Sequence, residues 1–168
     1  ALDVLSDILA GNASSRFDKN LVRGKQTALS AGTHYDIISR EMPLFSVMAM
    51  PAEGVKTDTL IAQLRQEIKD IADNGVSEEE LQRVKTQAAV SEIYAKDSMS
   101  SQASMMGRLE ARGFQYTDEQ EIHRRLQAVS AQEVQAAARM LTDDRMSTVI
   151  IEPQKPAAAP SKKAAKRR

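Results

Sequence analysis

Apolar residues at Leu2, Leu5, Ile8 and Leu9 fall at helical spacing on one face, so an amphipathic helix is already running at Ala1. Gly11 stands where a left-handed C-terminal cap belongs, and Asn12 and Ala13 read as a short turn. Ser14 or Ser15 is placed to cap a second helix on which Phe17 and Leu21 share a face and which ends at Gly24. The stretch TALSAGTHY then alternates, with Leu29, Ala31, Thr33 and Tyr35 to one side and Ala28, Ser30, Gly32 and His34 to the other, the pattern of a strand with one small-residue face. A second apolar run, LFSVMAM, lies between Pro43 and Pro51, and DIISREMP joins the two. An antiparallel pair with a loose connection is the simple reading.

From Thr57 the period changes to that of a helix. Leu60, Ile61, Leu64, Ile68 and Ile71 form a broad stripe that Asn74-Gly75 closes. Ser77-Glu78-Glu79-Glu80 is a capping box, with acidic charge at the positive end of the helix dipole. Leu81, Val84, Ala88, Ser91 and Ala95 continue one narrow face until the serine-rich KDSMSSQAS interrupts it, and a further helix carrying Met105 and Leu109 stops near Gly113. The capping pattern recurs at Thr117–Gln120 and Ser130–Glu133, each before a short helix, with Ile122 and Leu126 in the first and Val134, Ala138 and Leu141 in the second. STVIIEP is β-branched and closed by Pro153, which predicts a terminal strand. The order is helix, helix, strand, strand, five helices, strand, an α+β domain without internal repeats. Three strands leave this many helix faces short of a sheet to cover, so further strands are expected upstream of Ala1.

Charge divides the chain unevenly. The formal net charge is zero, but six of the 23 Lys and Arg fall in residues 155–168 with no acid, leaving 17 against 23 Asp and Glu, a net of −6. An acidic body repels a phosphate backbone, which argues against a nucleic-acid reader. The chain therefore divides into a domain at residues 1–153 and a basic Ala/Pro/Lys tail at 154–168, without large apolar residues to offset its ordering entropy. That tail reads as a solvated, flexible segment, with a basic interaction arm as the alternative. No run approaches the roughly 18 to 20 apolar residues that span a bilayer. The absence of cysteine excludes disulfides and Cys-based zinc sites.

Candidate chemistry is sparse. His34 lies beside Tyr35 and Asp36 without the spacing of a metal pair, and His123 follows Glu119 by four residues, the spacing of an ordinary helix surface pair. Neither H-E-x-x-H nor H-x-x-E-H occurs. The serines at 98, 100, 101 and 104 have no histidine near them in sequence, and helix capping accounts for Glu78, Glu79 and Glu80. Met99, Met105 and Met106 near Leu109 read as a soft apolar packing patch. Gly11, Gly24 and Gly32 lack a phosphate-cradling spacing.

Taken in order, ALDVLSDILAGNASSRFDKNLV, ALSAGTHYD, GVSEEELQRVKTQ, ARGF and AVSAQEVQAAARMLTDDRMSTVIIEP resemble the second, C-terminal domain of the insulinase-like (pitrilysin-type, M16) zinc peptidases, over residues 1 to about 153. The resemblance implies an α+β fold with a mixed or mainly antiparallel sheet covered by several helices, as in the peptidase M16/LuxS-like metallohydrolase domain. It implies two such halves closing into a clam-like chamber around a peptide, with zinc held by H-x-x-E-H in the first half. Catalytic residues and metal ligands are then expected to be absent from this chain, and zinc to sit in an N-terminal domain of the same chain or a partner subunit.

In active relatives the second half often contributes an Arg and a Tyr seven residues apart. Matching A-L-S to the family's A-Y-S places Val22 and Leu29 at those positions, and a shifted frame on Arg23 places Ser30 opposite it. The pair is incomplete in either frame, so Val22, Leu29 and Ser30 are candidate chamber-wall residues, with burial in the core as the other reading of Val22 and Leu29. The leading expectation is the C-terminal half of a bacterial zinc metallopeptidase. The alternative is a non-catalytic structural or peptide-binding M16-like subunit, and a module acting through the tail comes third. Expected partners are the N-terminal M16 domain, a peptide substrate and a second copy of the chain as a homodimer, but no nucleic acid. The relatives' deployment points to the periplasm. Deleting residues 155–168 is expected to leave the thermal midpoint unchanged, as measured by circular dichroism.

Overall fold

The first helix, α1 (Leu2–Ala10), buries Val4, Leu5, Ser6, Ile8 and Leu9, more than one face of its circumference. Such a helix must be covered on several sides. The computed structural model describes residues 1–152 and places α1 against a hairpin, α3 and α6. The hairpin is β1 (Ala28–His34) and β2 (Ser46–Pro51), antiparallel, with Thr33 opposite Val47 and Ala31 opposite Ala49. Around α1 the core is completed by Phe17 and Leu21, by Leu60, Leu64, Ile68 and Ile71 of α2 (Thr57–Asn74), by Leu81 and Val84 of α3 (Glu78–Lys96), and by Val134, Ala137 and Ala138 of α6 (Ala131–Arg139). Between α3 and α6 run α4 (Met99–Ala111) and α5 (Asp118–Ala128), and a short 3-10 turn follows at Asp143–Arg145. The fold is α+β, helices over a small antiparallel sheet.

Strong local signals are realised atom for atom. Ser77 Oγ accepts the Glu80 N–H at 3.1 Å while Glu80 Oε2 accepts the Ser77 N–H at 3.0 Å, and Ser130 with Glu133 repeats the arrangement at 3.2 and 2.8 Å. α2 ends at Asn74, and Gly75 at φ +78° takes the left-handed turn that separates it from α3. Weaker signals resolve differently. Gly11 is right-handed at φ −72°, and glycine is needed there for room: a Cβ would lie 2.8 Å from the Asp7 backbone. Neither Ser14 nor Ser15 caps the second helix. Instead Asn12 Oδ1 accepts the Ser14 N–H at 2.7 Å, and the helix widens into a π-helical segment over Asp18–Gly24. Thr117 makes no side-chain cap; Asp118 accepts the Gln115 N–H at 2.9 Å instead.

Two expectations are corrected by burial. The face predicted along α3 holds only at Leu81 and Val84, whereas Ser91 and Ala95 are exposed. The terminal strand does not form: Ser147–Ile151 has no regular structure, and Val149 and Ile151 stand 84% and 91% exposed. A strand needs a ladder, and no described segment pairs with it. The tail expectation at 154–168 lies outside the described residues.

The elements are locked by one side chain. Arg16, at the start of the helical turn that leads into the π-helical segment, donates from Nη1 to Asp70 of α2 at 2.9 Å, from Nε and Nη2 to the two oxygens of Glu80 at 2.9 and 3.0 Å, and from Nη2 to the Gly75 carbonyl at 3.3 Å. Replacing Arg16 by Leu leaves Glu80 half-buried and unpaired. Urea unfolding is expected to show a loss of roughly 3 kcal/mol, typical of removing one partner from such a pair, and less than about 0.5 kcal/mol would show the node to be dispensable.

Candidate functional site

Cross-strand pairs share a face of a sheet, so the register of the hairpin sorts its side chains. Ala31, Thr33 and Val47 turn toward α1, where Ser6 Oγ donates to Thr33 Oγ1 at 2.9 Å and Thr33 Oγ1 donates to the Ser6 carbonyl at 2.8 Å. The opposite face carries the pairs Ser30–Met50, Gly32–Met48 and His34–Ser46. Among the described residues nothing covers it: Met48 is 63% and Met50 57% exposed.

The candidate residues meet different fates. Alternation predicts Leu29 on the side of Ala31 and Thr33, but the register slips between Ala28 and Ser30, and Leu29 is the extra residue of that bulge. It is 62% exposed, which overturns the core reading at this position. Ser30 is exposed next to it on the uncovered face. Val22, in the π-helical segment, is half-buried against the core, so the core reading fits it better. Arg23 is turned away, bonded from Nε to Asp18 at 2.6 Å and from its other end to the Ala13 carbonyl. The uncovered face thus presents Leu29 and Ser30 with two methionines, a combination in which only the first two were marked by sequence. The methionines were legible only as strand residues, because which face a strand buries depends on what packs beneath it.

Behind the hairpin, a groove between α1, the turn at Asn12–Ser15 and α3 is lined by Asp7, Asn12, Ser14, Glu80 and Arg83. Burial there, reinforced by Asp3 one turn away, raises the Asp7 carboxyl from 3.8 to about 6. Glu80 behaves oppositely: burial opposes its ionisation, but hydrogen bonds from Arg16 and Ser77 hold it below the usual carboxylate range.

The histidines lie apart. His34 is exposed at the end of β1. His123 sits between Glu92 of α3 at 3.4 Å and Glu119 at 3.9 Å, so it joins two helices in addition to making the expected pair within one. Ser98 caps α4 by accepting the Ser101 N–H at 3.2 Å, and Met99 and Met106 are exposed rather than packed. A catalytic zinc site requires three protein ligands. Among the described residues no three His, Asp or Glu side chains are arranged to hold a metal ion, so the residues present do not fit the zinc that the resemblance implies for the other half.

Comparison with known proteins gives the same fold. The family model described as the peptidase M16 inactive domain matches residues 1–88. The inactive peptidase domain of a "putative zinc protease" from Bordetella parapertussis superposes with a TM-score of 0.80 at 20% identity, covering 95% of this chain and 84% of that one. A zinc protease structure from Bordetella pertussis Tohama I, named with the same qualifier, gives 0.69 at 20% identity, over 82% and 74% of the two chains. A protease from Helicobacter pylori gives 0.74 at 19% identity over 83% of this chain, which spans about a third (33%) of that protein. No curated protein matches.

The raised Asp7 carboxyl makes stability depend on pH with a definite sign. Between about 4 and about 6 the folded chain holds a proton that the unfolded chain has released, so stability falls as pH rises through that window and the loss is complete above it. Asp7→Asn is expected to stabilise by on the order of 1 to 2 kcal/mol at pH 7.5 and by much less at pH 4. Equal effects at the two pH values in thermal melts would contradict the assignment.

Proposed function

We propose that this chain, which belongs to the peptidase M16 inactive-domain family, forms the non-metal-binding half of a zinc metallopeptidase and supplies one wall of its peptide chamber. The observation that carries the reading is the two-sided hairpin: one face tied to α1 through Thr33, the other uncovered and presenting Leu29, Ser30, Met48 and Met50. A chamber wall needs such a face, rigid behind and open in front. Where active relatives are described above as carrying an Arg and a Tyr, Val22 and Leu29 bring neither charge nor hydrogen-bond donor. The wall therefore positions substrate by contact and leaves carbonyl activation to the metal-bearing half. Zinc, the N-terminal M16 domain and the peptide are the partners this reading requires, and the domain limits of 1–153 with a separate basic tail belong to it. Val22, behind the wall, supports it from the core side.

The complete polypeptide, in which this chain is joined to or mixed with the metal-bearing half, tests the proposal. Zinc analysis is expected to find about one ion per pair of halves and none above background on residues 1–168 alone. Leu29→Asp is expected to raise KM for an unstructured peptide by about tenfold, equivalent to roughly 1.4 kcal/mol of binding, with kcat and zinc content unchanged. Hydrolysis by the isolated chain would overturn the division of labour. A complete polypeptide that binds peptide with neither zinc nor hydrolysis would establish the non-catalytic subunit instead.

A further inference from the structure

Methionine is among the residue types most often buried, yet none of the eight in this chain is in the core. The buried cluster is built from Leu, Ile, Val, Ala and Phe, and every methionine except Met105, which is half-buried, is exposed. Two of them, Met48 and Met50, project from the uncovered face of the hairpin opposite Gly32 and Ser30. A flexible, polarisable thioether on a surface adapts to apolar side chains of different shape.

Charge narrows what can sit there. Asp, Glu, Lys and Arg make up 27% of the chain, but neither β1 nor β2 contains one. Around Gly32, Met48 and Met50 a charged occupant would lose water and meet no Asp, Glu, Lys or Arg of either strand, and the one titratable side chain on this face, His34, stands at its end beside Ser46. Gly32 adds room. Its backbone is not in the left-handed region, and a Cβ built on it meets nothing within 4 Å, so the fold itself does not require glycine at this position. A glycine inside a strand often marks a bulge, a bend or the close approach of another backbone; the bulge here lies at Leu29, away from Gly32, which leaves close approach as the reading that fits.

We propose that Leu29, Met48 and Met50, grouped around Gly32, bind an uncharged, apolar, extended peptide segment with little regard to its exact sequence. This rests on the chamber-wall reading and names the class of peptide segment that the wall accepts. The Gly32 position separates binding from structure. A β-branched residue there favours the strand while occupying the space that the peptide backbone needs.

The test uses the 168-residue chain labelled with ¹³C at the methionine methyls, and blocked peptides of about nine residues, long enough to cross both strands. One peptide contains only Ala, Val, Leu and Thr; two others carry Asp or Lys at its central positions. The apolar peptide is expected to move the Met48 and Met50 methyl resonances, with the charged ones binding at least about tenfold more weakly. Gly32→Val is expected to raise the thermal midpoint and weaken the apolar peptide by about tenfold or more. Unmoved Met48 and Met50 resonances, equal binding of the charged peptides, or a Gly32→Val chain that is more stable and binds as before would each overturn the proposal. So would shifts that follow protein concentration without peptide, which would assign the face to a second copy of the chain. Binding at Met48 and Met50 that Met48→Lys abolishes, with no change in hydrolysis by the complete polypeptide, supports the binding face and removes only the chamber reading.

Discussion

Arg16 ties the start of the chain to a corner that lies 54 to 64 residues further on. Its guanidinium meets Asp70 on α2, the Gly75 carbonyl in the corner and Glu80 on α3, and the residue itself begins the helical turn that leads to β1. The Glu80 contact is bidentate, the geometry in which a planar guanidinium and a carboxylate bind most strongly. Glu80 also closes the capping box with Ser77, so one carboxylate both starts a helix and anchors it to a distant arginine. Burying these charges gains little over an apolar substitute of similar shape, but with any one removed the others remain desolvated without compensation. The node therefore specifies the α2–α3 corner more than it adds net stability. Because β1 follows the helical segment that Arg16 begins, the node also ties the approach to the hairpin to that corner.

The hairpin inherits an asymmetry from this arrangement. Thr33 is bonded to Ser6 on the face toward α1, and Phe45 and Val47 lean on the same core. Among the described residues no side chain covers the other face, where Met48 and Met50 stay exposed. Two strands alone form a marginal sheet, so this one owes its order to what lies behind it. A bulge at Leu29 increases local twist and turns that side chain outward, an effect for which alternating polarity gives no sign.

What sequence revealed and what it withheld divide along the range of the interaction. The start of α3, the end of α2 and the start of α6 were legible because each is decided within four residues, by Ser77 with Glu80, by Asn74-Gly75 and by Ser130 with Glu133. The antiparallel pair was legible from alternation and flanking prolines. Arg16 was not, because its partners lie 54 and 64 residues away and any surface arginine looks the same in one dimension. The terminal strand failed for a related reason: β-branched residues show that Ser147–Ile151 is able to join a ladder, but not that one is present. The candidate wall was half legible. Position in the motif marked Leu29 and Ser30, while Met48 and Met50 needed the register.

Beyond the core the structure thins. α4 buries only Leu109 and α5 fully buries nothing, so beyond Leu126 and Val129, which reach the core at the end of α5, this arm is held by a few polar contacts. Arg112, the residue after α4, pairs with Asp36 and donates to the Ile38 carbonyl at 3.0 Å, and His123 bridges α5 to Glu92. Both pairs are half-buried, and ion pairs near a surface contribute on the order of 1 kcal/mol or less each, far less than the apolar contacts that hold α1. Local opening free energies follow burial, so the arm opens more readily than the core. Asp36 and Ile38 lie just beyond β1, so the Arg112 contacts join the arm to the loop of the hairpin, and that junction rests on a single side chain.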